Sequence, residues 1–284
     1  MNHRIKSFVF KVLEKLPKTV GDSIYHGLQR VNAKSIGDEF NFQLGTINQF
    51  VAEMAKLKLS FTNKKLIEIG SGWLPVLPYE LIFRCGAQRV LTFDINEHYQ
   101  NATIREFNNF CRSQYPKASL SIQTLPELVQ YFPNMNILNA TIESDSMDVM
   151  TSRNVLEHIP PRELELIHKQ AYQYLKADSF IIHQISPSDH RAYTDTSLSL
   201  WDFLKYSHSE WNHIQTRFDY HNRLRLPDYV NLFNRCGFKI AFLSFRSARK
   251  GQELPGKIHT DFSNFSVEEL TAGSIIVILV PNKK

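Results

Sequence analysis

Short apolar runs alternate with helical patterns from residue 65 onward. The first five runs indicate strands near 65–69, 89–94, 119–123, 147–152 and 179–185. These runs carry few polar residues, as expected of parallel strands that are buried on both faces. Apolar positions three and four residues apart predict helices between them, near 75–86, 97–113 and 161–177. This alternation predicts an α/β fold with a right-handed, doubly wound sheet.

The last part of the chain adds two strands, near 238–246 and 274–280, after a helix near 227–236. The long segment between these strands lets them pair as antiparallel neighbours. We therefore expect a seven-stranded sheet that is mostly parallel, with the last strand antiparallel. Polar and aromatic residues at about 186–225 interrupt the rhythm after the fifth strand and predict a helical, aromatic insert.

Residues 1–63 have helical patterns and precede the first strand, so we expect a helical extension or lid on a main domain at 64–284. A second pattern covers 47–58, with Thr46 as its N-cap. The first helix has one apolar face, formed by Ile5, Phe8, Val9, Val12, Leu13 and Leu16. Lysines and an arginine flank that face, so the helix either packs on its own domain or lies on an anionic membrane.

Composition limits the classes of partner and compartment. The net charge of +5 is dispersed, without the basic block typical of nucleic-acid binding, so we expect no nucleic-acid partner. The three cysteines lack metal or redox spacing, and we expect no metal. No secretory pattern begins the chain, and the apolar run at 274–280 is too short to span a bilayer. We expect a cytoplasmic protein, with residues 1–18 as the candidate peripheral membrane contact.

Two acids end the first two predicted strands, and glycines follow the first of them. Glu68 precedes Gly70 and Gly72, and Asp94 ends the next strand. Doubly wound sheets bind ligands at the carboxyl ends of their strands, where these residues would lie. A dinucleotide site would need a third glycine where Leu74 stands, and Glu68 would repel a pyrophosphate. S-adenosylmethionine (SAM) carries two cationic groups and a ribose diol, which suit these acids.

This stretch resembles the class I SAM-dependent methyltransferases, and its overall residue pattern is similar to that of the type 11-like group. Glu68, Gly70 and Gly72 match the first motif of the family, although Leu74 replaces its third glycine. Asp94 matches the acid that ends the second strand. The resemblance implies a Rossmann-like fold, SAM as cofactor, Asp94 as the ribose ligand, and contacts from the adjoining Ser71 and Ile95.

A second match runs from 144 to 176 and contains the string NVLEHI, which begins at Asn154. It resembles the fourth-strand motif of small-molecule methyltransferases. The resemblance implies that Asn154 lies at the cofactor and that Asn139 contacts the adenine. It also places His158 beside the cofactor, because the family often has a histidine there.

Methyl transfer to a hydroxyl requires alignment and a proton acceptor, and histidine is suited to that task near neutral pH. His158 is one candidate, and its alternative role is to support the loop. Asp189 and His190 follow the fifth strand and are the other catalytic candidates. Neighbours in sequence do not orient each other, so we expect only one of these two to face the crevice.

The insert supplies the candidate acceptor site. Its cluster RFDYHNRLR offers Arg217, Asn222, Arg223 and Arg225, which could bind a carboxylate, phosphate or sugar hydroxyl. The alternative is a structural clamp in which these arginines pair with Asp219 and Asp228. The aromatic residues of the insert either stack on an acceptor or form the small core of a lid.

The expected activity is transfer of the SAM methyl group to a small molecule or a sugar or glycan precursor, as O-methylation. The overall texture resembles bacterial methyltransferases of polysaccharide or secondary-metabolite biosynthesis. Two alternatives remain: a SAM- or SAH-binding module that has lost catalysis, and an NAD-dependent oxidoreductase on a similar sheet. The sequence does not indicate an oligomeric state.

Overall fold

A seven-stranded sheet forms the centre of the computed structural model, which describes residues 3–31, 35–248 and 253–283. Its strands are β1 (Lys65–Ile69), β2 (Arg89–Phe93), β3 (Val129–Phe132), β4 (Met147–Arg153), β5 (Leu175–Ile185), β6 (Phe238–Arg246) and β7 (Gly273–Pro281). Their order across the sheet is β3-β2-β1-β4-β5-β7-β6. β1 to β5 are parallel, and β7 lies antiparallel between β5 and β6. The predicted sheet is confirmed, including its antiparallel last strand.

The described helices are α1 (His3–Glu14), α2 (Lys18–Val31), α3 (Ile36–Lys56), α4 (Val76–Tyr79), α5 (Asn101–Gln114), α6 (Pro161–Tyr174), α7 (His208–Ile214), α8 (Leu226–Arg235) and α9 (Val267–Thr271). A π-helical turn, Glu80–Arg84, extends α4. Alternate residues of β1 face opposite layers: Leu66 packs with α3 to α5, and Ile67 packs with α6 and α8. Both faces of the parallel strands are therefore covered.

Two local predictions were wrong. The third strand is Val129–Phe132, and residues 119–123 form a loop. Leu120 makes that loop apolar because it packs into the core, so its composition imitates a strand. The helix placed at 47–58 begins earlier, at Ile36, where Ser35 caps it by accepting a hydrogen bond from the Asp38 amide. Thr46 lies within this helix and donates to Gln184.

The N-terminal segment divides into two parts. α3 belongs to the main core, because Phe40, Ile47, Phe50 and Met54 are buried there. α1 and α2 form a hairpin that rests on the insert through Phe10 and Tyr25, both in ring contact with Phe218. No helix among the described residues is long and apolar enough to cross a membrane.

Candidate active site

The backbone turn after β1 contains two glycines, one closely packed and the other beside open space. Gly70 has a φ of +82°, and a Cβ there would collide with Val155. Gly72 also has a positive φ, +65°, but open space lies beside it. Leu74, at the position of the missing third glycine, is buried in the core. The chain therefore turns inward at that point, and the turn is made without a third glycine.

Asp94 is fixed at the end of β2 by main-chain donors. Its two carboxylate oxygens accept hydrogen bonds from the amides of Ser71 (3.0 Å) and Asn96 (2.9 Å). The Tyr99 hydroxyl donates to the Ser71 carbonyl oxygen at 2.9 Å and holds the same loop. His98 Nε2 lies 3.6 Å from Oδ1 of the same carboxylate, so main-chain and side-chain groups together fix the orientation of Asp94.

Asp94 borders a cavity of about 400 Å³, which we call the first cavity. The ends of β1, β2, β3 and β4 surround it, together with α3. Its polar lining includes Glu39, Gln43, Asp94, Asn96, His98, Asn136, Arg153, Asn154 and His158. The Trp73 ring covers part of the wall and lies 4.4 Å from the His98 ring, centre to centre. Its size and mixed lining are those of a small-molecule site.

Most of the expected cofactor residues converge on this cavity. Gly70, Gly72, Asp94, Ile95 and Asn154 line it. Glu68 and Ser71 are buried behind the lining. Asn139 is exposed and does not line it, and Asn136 lies in the wall instead. The placement of Asn139 failed because the turn Ile137–Asn139 directs the chain away after Asn136 caps it.

Glu68 lies in the centre of the sheet, between its cross-strand neighbours Thr92 and Thr151. The residue is only 3% exposed, and its Oε2 makes no hydrogen bond to any described residue. Burial, with a contribution from the nearby charge of Asp94, raises the pKa of Glu68 to about 8. Glu68 is therefore mostly protonated at neutral pH, and a cationic group nearby would favour its ionisation.

A second cavity, of about 240 Å³, lies under the α1–α2 hairpin. Its lining includes His3, Lys6, Phe10 and Tyr25 from the hairpin, and Asp189, His190, Trp211, Phe218 and His221 from the insert. Among the described residues, His158 alone lines both cavities. The two spaces are therefore adjacent at this side chain.

His158, His190 and His221 form a cluster at that point. The His190 ring lies 4.9 Å from the His158 ring and 5.3 Å from the His221 ring. The surrounding protein lowers the pKa of His158, and burial lowers the pKa of His190 to about 3, with a further contribution from His158. All three rings are therefore neutral at pH 7, since burial also lowers the pKa of His221 well below its usual range.

The acids beside this cluster differ in their partners. Asp189 pairs with Arg191, whose Nη2 lies 2.6 Å from Oδ2. Glu157 is fully buried and accepts a hydrogen bond from the Ser186 amide at 3.2 Å. Burial raises the pKa of Glu157 to about 8. One Glu157 oxygen and one nitrogen each of His158 and His190 lie within 4.8 Å of one another.

The four residues expected to bind the methyl acceptor are Arg217, Asn222, Arg223 and Arg225, and none of them lines either cavity. Three of them donate hydrogen bonds that stabilise the insert. Arg223 donates to the carbonyl oxygens of Phe203, Tyr206 and Ser207. Arg225 donates to those of Arg223, Leu270 and Pro187. Asn222 donates to those of Leu156 and Ile159. These contacts are those of a structural clamp, the alternative given by the sequence. The hydrogen-bond acceptors of the three side chains are main-chain oxygens, however, and not the carboxylates of Asp219 and Asp228.

Arg217 has a different position, at the edge of the insert. Its guanidinium lies 3.2 Å from Asp22 of α2, and its amide donates to Glu14 of α1. It therefore attaches the hairpin to the insert. The aromatic residues of the insert form a separate small core around Trp201, Phe203 and Trp211. Phe203 and Trp211 also line the second cavity.

Several site residues were not selected from the sequence. Trp73 directly follows the glycine turn and Glu157 lies within NVLEHI. The position of each residue in a motif could therefore have identified it from the sequence. His221 belongs to the quoted arginine cluster, where the arginines drew the assignment. Asn136 had no signal, because an irregular loop carries no periodicity that shows which side chain turns inward. Arg153 is the last residue of β4, and no motif in the sequence singled it out.

Comparisons with solved structures support the fold. Magnesium protoporphyrin IX methyltransferase from Synechocystis PCC 6803, solved with bound SAH, is 14% identical; the match has a TM-score of 0.51 and covers 88% of both chains. The PH0226 protein of Pyrococcus horikoshii is 13% identical, with a TM-score of 0.52 over 87% of this chain and 94% of that one. A candidate sarcosine dimethylglycine methyltransferase from Galdieria sulphuraria is 13% identical, with a TM-score of 0.52 over 84% and 86%.

No protein-family model matches this chain, and no curated protein sequence does. At these identities the structural matches show the fold, which is the Rossmann-like fold of the class I methyltransferases.

Proposed function

We propose that this protein transfers a methyl group from SAM to a hydroxyl of a small-molecule or sugar-type acceptor. One observation carries the proposal. A cofactor-sized cavity that contains the fixed carboxylate of Asp94 adjoins a second cavity at His158. Transfer between two bound molecules requires this arrangement, because both must reach one point while water is excluded. The fold of the class I methyltransferases supports the same assignment.

The residues of the first cavity fit SAM. Asp94 lines the cavity with a carboxylate that suits the ribose hydroxyls, and the apolar Ile95 and Ile137 flank a site for the adenine. Gly72 leaves its backbone open to the ligand, and Arg153 supplies a cation for a carboxylate. SAM supplies a methyl group on a cationic sulfur, which makes the methyl carbon electrophilic. The residues of this chain then need only bind, align and remove a proton.

His158 is the proton acceptor that fits best. Its Nδ1 donates to the Tyr220 carbonyl oxygen at 2.8 Å, so in the neutral ring Nε2 carries the free lone pair. His190 is a weaker base, because its pKa of about 3 lies further from neutral pH. We assign to His190 the role of orienting the acceptor. The hairpin of α1 and α2 roofs the second cavity and serves as a lid.

The two alternatives make different predictions. A nicotinamide enzyme would use the third glycine of the dinucleotide fingerprint, and here Leu74 stands at that position with its side chain buried in the core. A binding module without catalysis would retain the first cavity only. The presence of two adjacent cavities at His158 favours an enzyme over such a module.

Calorimetric titration with S-adenosylhomocysteine tests the cofactor site. We expect binding in the wild type, no binding of NAD, and affinity about ten to a hundred times weaker in Asp94→Ala, since hydrogen bonds to a charged group contribute roughly 1.5–3 kcal/mol. Asp178→Ala, at an exposed carboxylate on β5, is the matched control and should bind normally. Absence of wild-type binding would reject the proposal. Binding without any methyl transfer across a hydroxyl-acceptor panel would favour the inactive module.

A further inference from the structure

The outer surface of the α1–α2 hairpin exposes apolar and basic side chains that the described part of the chain leaves in contact with solvent. We propose that this surface docks the protein on an anionic lipid bilayer. The docking does not depend on the proposed activity. What docking implies for the methyl acceptor does rest on the proposed activity, because the second cavity lies directly beneath the hairpin.

Six large apolar side chains point outward from the two helices. Ile5, Phe8 and Val12 of α1 are 58%, 69% and 46% exposed. Val20, Ile24 and Leu28 of α2 are 46%, 42% and 46% exposed and recur every fourth residue, which aligns them along one stripe. Elsewhere in the described chain, exposed residues such as Leu128, Leu166 and Val267 come from separate elements. A concentration of exposed large apolar side chains on one helical hairpin is typical of an interaction site.

The two faces of α1 are occupied in different ways. His3, Lys6, Ser7 and Phe10 line the second cavity from above. At about 100° per residue, positions 5, 8 and 12 point to the opposite side of the helix from these four. Among residues 3–31, 35–248 and 253–283, the packing of the hairpin on the insert therefore leaves the outward stripe of α1 exposed.

The charges of the hairpin favour an anionic surface. Lys11, Lys15 and Lys18 are exposed around the apolar stripe. The hairpin contains only two acids, Glu14 and Asp22, and both contact Arg217 of the insert. The outward charge is thus positive, as expected for an amphipathic element that lies in the headgroup region of anionic lipids. A second copy of this chain would bring like charges together, so a bilayer is the better occupant.

Docking through this surface would place the second cavity about one helix diameter, roughly 10 Å, from the lipid. An acceptor attached to a lipid or dissolved in the bilayer could then reach His158 without the protein entering the membrane. This deepens the proposed function by naming the acceptor class, a membrane-borne amphiphile whose polar group enters the cavity.

Sedimentation with vesicles tests the docking. The full chain is mixed with phosphatidylglycerol-containing vesicles, with pure phosphatidylcholine vesicles, and with the former in high salt. We expect binding to the anionic vesicles that weakens at least tenfold in salt or without the anionic lipid. Ile5→Gln/Phe8→Gln/Val12→Gln and, separately, Lys11→Gln/Lys15→Gln/Lys18→Gln should each lower the binding constant at least tenfold.

Two control variants make the same changes at exposed positions elsewhere: Leu128→Gln/Leu166→Gln/Val267→Gln and Lys58→Gln/Lys117→Gln/Lys239→Gln. Both should bind vesicles as the wild type does. Titration with S-adenosylhomocysteine on every variant separates this proposal from the activity, because docking variants should retain cofactor binding. Failure of the wild type to bind anionic vesicles, or equal binding by the apolar hairpin variant, would overturn the proposal. If the wild type is a dimer that does not bind vesicles, and the apolar hairpin variant is a monomer, the surface would be assigned to a second copy of this chain.

Discussion

Nδ1 of His158 donates a hydrogen bond to the carbonyl oxygen of Tyr220 at 2.8 Å, and this bond determines which ring nitrogen is free. His158→Gln should lower kcat about 10²–10⁴-fold, the usual contribution of a general base, with little change in S-adenosylhomocysteine affinity. Steady-state kinetics and calorimetry measure the two effects. His213→Gln, at an exposed histidine of α7, should leave both unchanged. If His158→Gln lowers the affinity for S-adenosylhomocysteine as much as it lowers kcat, His158 would instead have a role in binding.

The pH dependence of the rate should follow the same residue. The protein lowers the pKa of His158 below 6.5, so the neutral, proton-accepting form predominates at and above that pH. We expect a kcat that is higher at pH 7.5 than in acid solution and falls as the ring becomes protonated. A rate that rises as the pH falls below 6.5 would mean that the charged imidazolium is the active form.

Gly70 should be a sensitive position for stability as well as for binding. Gly70→Ala forces a side chain into Val155 at a φ of +82°, so we expect a loss of about 1–3 kcal/mol in the free energy of unfolding. Urea denaturation measures it. Gly45→Ala is a contrasting change, because this glycine lies within α3 with no atom near its Cβ position, and alanine should add about 0.5–1 kcal/mol. Equal stability of the two variants would contradict the close packing at the glycine turn.

The buried arginines of the insert should act on folding rather than on acceptor binding. Arg225→Met leaves the carbonyl oxygens of Arg223, Leu270 and Pro187 without their donor, and each unsatisfied group costs about 1–3 kcal/mol. We therefore expect a loss of at least about 3 kcal/mol. Arg217→Met, at a partly exposed ion pair, should cost at most about 1 kcal/mol. A stable Arg225→Met variant with a raised acceptor KM would restore the role expected from the sequence.

Chelation distinguishes a proton acceptor from a metal centre at Glu157, His158 and His190. Burial raises the pKa of Glu157 to about 8, so this group is mostly protonated at neutral pH and a metal ion would have to displace that proton in order to bind. We expect prolonged dialysis against EDTA to leave the transfer rate unchanged. A rate that is lost on dialysis and restored by a divalent cation would show that the two histidines are ligands, and His158 would no longer be the base.

The sheet was predictable because its strands and helices repeat with distinct periods, and burial on both faces gave the strands their apolar runs. β3 was the exception, since its four residues are too few for a pattern and Leu120 made the preceding loop look like a strand. Asp94 and the glycine turn were located because regular elements fix their position. Arg223 and Arg225 could not be placed, because arginine is rarely buried and its main-chain acceptors come from segments distant in sequence.

Asn222 supplies three of the hydrogen bonds that join the turn carrying His158 to the insert. The Asn222 side chain donates to the carbonyl oxygens of Leu156 and Ile159, and its amide donates to that of Glu157. The segment that would recognise the acceptor therefore also positions the base. An insert exchanged between related proteins would carry the alignment of the base with it, so new acceptor preferences in this scaffold should evolve by substitution within the cavity rather than by wholesale replacement of the insert.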